Sequence, residues 1–398
     1  MTVGAGPRQR PLENTTNNSS PPSDKGKRSA RDRRYARRSL LWPETKIPRL
    51  CRCGRRLHDD YVAVRKTGEA SGFAGLMMCG SVWVCPVCNA KIMSRRALEI
   101  GSAVALAQRS GFHVAFVTLT MRHFLGQALA MLWGALSYAW GAVTSGKPWK
   151  KAKARFGIVG FLRVVEVTVG RNGWHVHVHA LVFLDPAQMP DDAPETPDVA
   201  ALQAAMFERW SNALQRKGLD APLLKAQDAR LLDGPADEAL SQYLTKAQDN
   251  GMVTHRKIGL ELTSSQSKKA RTEFSTRTPW ELLDEWFGDG LADSAELWWE
   301  FEKASKGKRQ LTWSRGLREL LGLIQEKTDE EIAAEEIGSK ADDLVHISKE
   351  GWRKVLRQPD LIPMILNTTD RQGLTGLRAL LDEHGIDYDL PEETSDDD

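Results

Sequence analysis

The stretch that decides the fold runs from Ile158 to Leu184 and reads IVGFLRVVEVTVGRNGWHVHVHALVFL. Two apolar, β-branched runs flank Gly170-Arg171-Asn172-Gly173, a hairpin turn signal. The second run holds His175, His177 and His179 at two-residue spacing. Successive strand side chains point to opposite faces, so the imidazoles share one face while Val176, Val178 and Ala180 share the other. A two-residue turn at Asn172-Gly173 sets Glu166 opposite His179, and one at Arg171-Asn172 sets it opposite His177. A three-residue loop would turn the carboxylate to the wrong face. Two histidines and a carboxylate are mixed N/O ligands suited to Mn²⁺ or Mg²⁺, and zinc also fits them. The competing reading is a polar strand face with solvated histidines.

Outward from this hairpin, His113–Thr120 reads as another central strand. Helical patterns surround the strands at 90–110, from about 126 to 143, and up to about Lys217. Leu223–Leu232 reads as a further strand, followed by a helix from Ala236 to about Asp249. Trp133 and Trp140 lie seven apart on one helix face, a spacing that favours core over a base-stacking platform.

The five cysteines cluster between Cys51 and Cys88, in an odd number that argues for metal rather than disulfides. Cys85-Pro86-Val87-Cys88 has the spacing of a zinc knuckle. Cys85 and Cys88 are the first-choice ligands of a structural Zn²⁺, Cys51 and Cys53 complete the set, and Cys79 is the spare. Reduced, buried cysteines without metal are the alternative.

The net charge of +3 over 398 residues hides a gradient. Residues 1–38 carry ten Lys/Arg against three acids, whereas Asp329 onward carries nineteen acids against seven Lys/Arg. A basic arm and middle suit a polyanion such as DNA. No apolar run approaches the roughly 20 residues of a membrane span, and no signal peptide is evident, so the chain reads as cytoplasmic with no membrane partner. The chain divides into a disordered basic arm (1–47), a cysteine module with its basic helix (48–110), the sheet domain (111–260), a Trp-rich extension (261–325) and an acidic helical or disordered tail (326–398).

Of five tyrosines, Tyr243 alone follows the histidine strand on a helix with a lysine, Lys246, one turn on. A phenol of pKa near 10 is a poor nucleophile, which a neighbouring ammonium and a metal-polarised phosphate would remedy.

In this order, FVTLT (Phe116–Thr120), EVT (Glu166–Thr168), HVHVHALVF and YLTK (Tyr243–Lys246) resemble the HUH endonucleases, specifically rolling-circle plasmid replication initiators of the single-tyrosine class. CPVC before a basic helix, and TWSRGLR (Thr312–Arg318), are similar to actinobacterial members. The resemblance spans roughly residues 50–320 and implies an α+β fold, a central antiparallel β-sheet flanked by helices. It implies that His177 and His179 bind the metal, with His175 matching an extra upstream histidine. It also implies a strand-specific nick at the plasmid origin, a 5′-phosphotyrosyl link to Tyr243, a 3′-OH primer, and origin DNA, host helicase and polymerase as partners. A second transesterification would rejoin the strand at termination. Family members place a water-activating Glu four residues before the tyrosine. Here position 239 is Ala and Glu238 lies five before, about 140° around an ideal helix rather than 40°. The rival readings are a single-tyrosine HUH transposase or relaxase, and a non-catalytic zinc-dependent DNA-binding regulator.

Overall fold

The computed structural model describes residues 29–232 and 276–391. In chain order its elements begin with helices α1 (Ala30–Glu44) and α2 (Pro48–Arg52), then strands β1 (Tyr61–Thr67) and β2 (Ala70–Ala74). Helix α3 (Pro86–Arg109), strand β3 (His113–Leu119), and helices α4 (Leu129–Val143) and α5 (Gly146–Phe156) follow. The hairpin β4 (Ile158–Gly170) and β5 (Gly173–Leu184), helix α6 (Val199–Arg216) and strand β6 (Asp228–Leu231) complete the first described stretch. After Thr276 come helices at Pro279–Asp289 and Ala292–Ser305, β7 (Leu311–Trp313), β8 (Asp343–Ser348), helices at Lys349–Arg357 and Leu361–Glu383, and β9 (Tyr388–Asp389).

A five-stranded antiparallel sheet in the order β6-β3-β5-β4-β7 places the histidine strand at its centre. The antiparallel, helix-flanked α+β architecture anticipated from the sequence is the one observed. The hairpin turn is Arg171-Asn172, since Gly170 pairs with Gly173 and Glu166 with His177. Of the two registers that keep the carboxylate on the histidine face, the structure selects this second one. Gly173 has φ of +85°, and a Cβ there would meet the Phe124 carbonyl at 3.0 Å, so the turn both needs glycine's backbone freedom and abuts the loop after β3.

The two faces of β5 have different surroundings. Val176, Val178, Ala180, Val182 and Leu184 join Leu132, Trp133, Leu136, Met206 and Trp210 in the main core under α4 and α6. Trp133 and Trp140 are core side chains, 2 % and 5 % exposed. On the other face, Leu181 and Phe183 pack with Ile100, Val104 and Ala107 of α3, while His175, His177 and His179 lie further along the same face. The face is thus apolar at one end and imidazole-bearing at the other.

A second sheet, in the order β2-β1-β8-β9, joins the two ends of the described chain. Val62 and Val64 of β1 are buried against Val345, Ile347, Trp352, Leu361, Ile365 and Leu377. The acidic C-terminal region is helical over Lys349–Arg357 and Leu361–Glu383, but it is packed rather than a partly disordered tail as far as residue 391. Its acids are partly internal: Asp343, whose side chain is 1 % exposed, accepts from the Arg65 guanidinium at 2.5 Å.

The basic arm is also shorter than expected. Helix α1 starts at Ala30, capped by Ser29 and Asp32 in a reciprocal capping box. Arg38, Leu41 and Trp42 recur at helical spacing and are buried, which outweighs the high Arg content that suggested disorder.

Candidate metal centres

Two clusters of metal-type ligands occur among the described residues: Glu166, His177 and His179, and Cys53, Cys79, Cys85 and Cys88.

Glu166 Oε2 lies 3.0 Å from His177 Nε2 and 3.0 Å from His179 Nε2, and the two Nε2 atoms are 3.0 Å apart. This equilateral triangle is a consequence of register, because a cross-strand pair and its two-residue neighbour share one face. Donors about 2.1 Å from a common ion in adjacent octahedral positions lie about 3.0 Å from one another, so the triangle fits one face of an octahedron. Thr118, paired with His179 across β3 and β5, has its Oγ1 3.0 Å from His179 Nδ1. Donation of Nδ1–H to that hydroxyl leaves the Nε2 lone pair free for an ion. Phe116 stacks on the same imidazole at 5.4 Å. Burial alone would raise the Glu166 pKa, but His177 and His179 outweigh it and hold the carboxylate well below the usual range. Glu166 is thus an anion in a mostly buried setting, facing nitrogen donors. His177 Nδ1 is buried with no partner among the described residues.

His175 sits beside this triangle rather than within it. Its Nδ1 is 2.9 Å from His123 Nε2, and His123 Nδ1 is 3.0 Å from the Asn172 carbonyl. Burial first, then His177 and His123, pushes the His175 pKa down to about 3, so it is neutral. His123 was not anticipated from the sequence. It reaches the row only because the loop after β3 folds over the hairpin turn, a contact no local spacing announces.

In the cysteine cluster, Cys53 Sγ lies 3.7 Å from Cys85 Sγ and 3.6 Å from Cys88 Sγ, and Cys79 Sγ is 3.6 Å from Cys88 Sγ. Four sulfurs at about 2.3 Å from a tetrahedral zinc would be about 3.8 Å apart, close to these separations. The four could therefore form a zinc module. The predicted ligand set needs one correction: Cys79 belongs and Cys51 does not. Cys51 lies on α2 with its Sγ directed to the Thr45 carbonyl at 3.4 Å. Two residues along a helix is a rotation of about 200°, so Cys51 and Cys53 face opposite ways. Cys85 caps α3 and accepts from the Cys88 backbone N–H, which fixes the CPVC turn.

Arg38 strengthens the zinc reading. It is 1 % exposed, and its Nε and Nη2 have no hydrogen-bond partner among the described residues. The guanidinium stacks over Tyr35 and Trp42 and packs so tightly on Gly54, next to Cys53, that a Cβ there would collide with it. A buried, unpaired cation is costly. A zinc tetrathiolate carries a net charge of −2, which would supply the missing counter-charge. Without metal, burial pushes the Cys85 thiol up, while hydrogen bonds from Cys79, Cys85 and Cys88, with Arg38 adding, favour the thiolate at Cys53.

The three residues assigned to catalysis, Tyr243, Lys246 and Glu238, lie outside the described residues, as does the arm before Ser29. No described helix is long and apolar enough to cross a membrane.

Fold and site together define an α+β protein with a carboxylate–dihistidine centre on its central hairpin and a separate tetracysteine cluster. Residues 74–193, which carry both centres apart from Cys53, match the family described as "Replication protein". The chain is 30 % identical over 357 residues to "Protein rep" of Streptomyces lividans, an alignment covering 75 % of this chain and 76 % of that one. It is 25 % identical over 177 residues to "Protein rep" of Streptococcus pneumoniae serotype 2, covering 40 % and 52 %. It is 32 % identical over 148 residues to "Neomycin resistance protein" of Streptomyces cyanogenus, covering 31 % and 34 %. No solved structure matches the chain. The chain belongs to the replication-protein family.

Proposed function

We propose that this protein initiates rolling-circle replication of a plasmid by nicking one strand of origin DNA, with Tyr243 as nucleophile. The observation that carries the reading is the triangle of Glu166, His177 and His179 donors in a chain of the replication-protein family. A Mn²⁺ or Mg²⁺ held there would draw charge from a non-bridging phosphate oxygen and make the phosphorus more electrophilic. The chain's own contributions are then distinct. Thr118 orients His179. Glu166, held as a carboxylate by His177 and His179, would offset the charge of a bound ion. Tyr243 attacks the phosphorus, forming the Oη–P bond as the bond to the 3′ oxygen breaks. The phenol proton passes to solvent, solvent supplies a proton to the departing 3′ oxygen, and Lys246 stabilises the phenolate. The released 3′-OH primes synthesis, and a second transesterification frees the tyrosine. Host helicase and polymerase are the partners this cycle requires, and Glu238 is the carboxylate assigned to the terminating step.

Incubation with single-stranded origin oligonucleotide and Mn²⁺ tests the reading. A phosphotyrosyl adduct mapping to Tyr243 is the expected product. Tyr243→Phe retains DNA binding and forms no adduct; an adduct from that variant overturns the assignment.

A further inference from the structure

Helices α1 and α3 present cations to each other. On α1, Arg31, Arg34 and Arg38 recur at helical spacing, and on α3, Lys91 and Arg95 lie one turn apart. All five line a cleft of about 570 Å³, together with edge strand β2, residues 333–337 and the apolar side chains of Leu76 and Leu98. Two packed helices with like-charged faces repel unless anions lie between them.

The acids at this cleft are already engaged. Glu335 accepts from Lys327 at 2.6 Å, and Glu336 accepts from Arg65 at 2.9 Å and from the Gly75 backbone at 2.6 Å. Three of the five cations also have occupations. Arg31 bonds Asp370 at 2.6 Å, Lys91 donates to the Ala333 carbonyl, and Arg38 faces the cysteine cluster. Arg34, half-buried, has no carboxylate partner among the described residues. Among the described residues Arg95 has only Glu99 as an acidic partner, at 3.9 Å, a distance too long for a hydrogen bond. Burial lowers the Arg34 pKa, Tyr35 opposes that shift, and the neighbouring Arg31, Arg33 and Arg37 add to it.

We infer that this cleft binds the phosphodiester backbone of DNA, with Arg34 and Arg95 as the phosphate contacts, at a surface distinct from the Glu166–His177–His179 centre. Guanidinium groups suit phosphate because their forked donors match two oxygens at once. DNA is the phosphate source that agrees with the family of the chain and with the excess of Lys/Arg over residues 1–38. The inference rests on the DNA-binding part of the proposed function but not on its nicking chemistry. A second anchoring surface would hold the duplex while the metal centre works on one strand.

The test compares full-length wild type with Arg34→Ala/Arg95→Ala in binding to a labelled duplex across a salt series. Loss of two phosphate contacts is expected to reduce the slope of log K against log salt by about 1.8 and to weaken binding at low salt by about tenfold or more. Cleavage of a short single-stranded oligonucleotide at saturating concentration stays within about twofold, because the metal centre is untouched. Arg34→Lys/Arg95→Lys restores most of the slope. An unchanged slope and affinity, with thermal stability retained, overturns the inference. So does a variant that loses ATP or polyglutamate binding while its DNA affinity is unchanged, since the cleft would then serve a free nucleotide or an acidic protein. If the variant loses duplex affinity and wild type gives no Tyr243 adduct, the cleft stands and the nicking reading falls.

Discussion

The two ligand clusters differ in how completely they surround a central point. The four cysteines are 0–4 % exposed and enclose a tetrahedron with nothing left over, in the manner of zinc sites that hold a fold together. The Glu166–His177–His179 triangle offers three donors from one side, which leaves the opposite positions to water or substrate. Their assembly differs as well. The cysteines come from three separate segments and meet only when the module folds. The triangle comes from a single hairpin and is preorganised by strand pairing. A closed site assembled from distant residues has its effect on stability, and an open site on a rigid hairpin has its effect on reactivity.

The largest effect should follow from breaking the closed site. Cys88→Ser, or removal of metal by a strong chelator, is expected to lower the melting temperature by 10 °C or more or to prevent folding, as judged by calorimetry, because structural zinc contributes on the order of 10 kcal/mol of binding free energy. Cys51→Ser should leave both metal content and melting temperature unchanged; loss of zinc from that variant would restore Cys51 to the ligand set.

Breaking the open site should invert this pattern. Glu166→Ala or His177→Ala is expected to reduce Mn²⁺-dependent cleavage by about 10³-fold or more, a cost comparable to other catalytic stabilising groups, while the melting temperature moves by only a few degrees. A large stability loss without an effect on cleavage would reverse the roles assigned to the two clusters.

Smaller changes sharpen the contrast. Arg38→Met keeps the packing over Tyr35 and Trp42 but removes the buried charge. It should accelerate zinc release to a colorimetric chelator by about 10- to 100-fold, the range seen when groups supporting a metal site are removed. Thr118→Val removes the His179 Nδ1 partner and should weaken Mn²⁺ affinity by about tenfold with little effect on stability. Unaltered zinc release in the first variant would leave the Arg38 burial unexplained.

How much of this was legible in the sequence follows from the distances over which each contact acts. The β4–β5 hairpin was readable because its turn, alternation and ligands lie within 27 residues. Even so, two turn placements kept Glu166 on the histidine face, and only the folded turn at Arg171-Asn172 chose between them. Cys85 and Cys88 were readable as a local turn. Cys51 was preferred to Cys79 on spacing, and the structure reverses that choice, because it depends on which way α2 faces. Strand β8 was hidden, because six residues in an acidic context give too weak a pattern and the partner strand lies near the other end of the chain. Arg38 read as part of a basic arm because composition cannot show that one of its ten Lys/Arg residues is enclosed.

The pairing of β1 with β8 has a consequence for how the protein is made. Arg65 and Asp343 are 278 residues apart, and the chain between them includes the whole histidine sheet. During synthesis, β1 leaves the ribosome with Val62 and Val64 destined for burial, but their covering strand has not yet been translated. At about 5–20 residues per second, the interval is roughly 14–56 seconds. The histidine sheet has all five strands by Trp313 and can form in that interval, whereas the outer scaffold closes only afterwards. A truncated product ending before Asp343 would therefore contain a complete hairpin centre on a body with one uncovered edge, prone to pair with other chains.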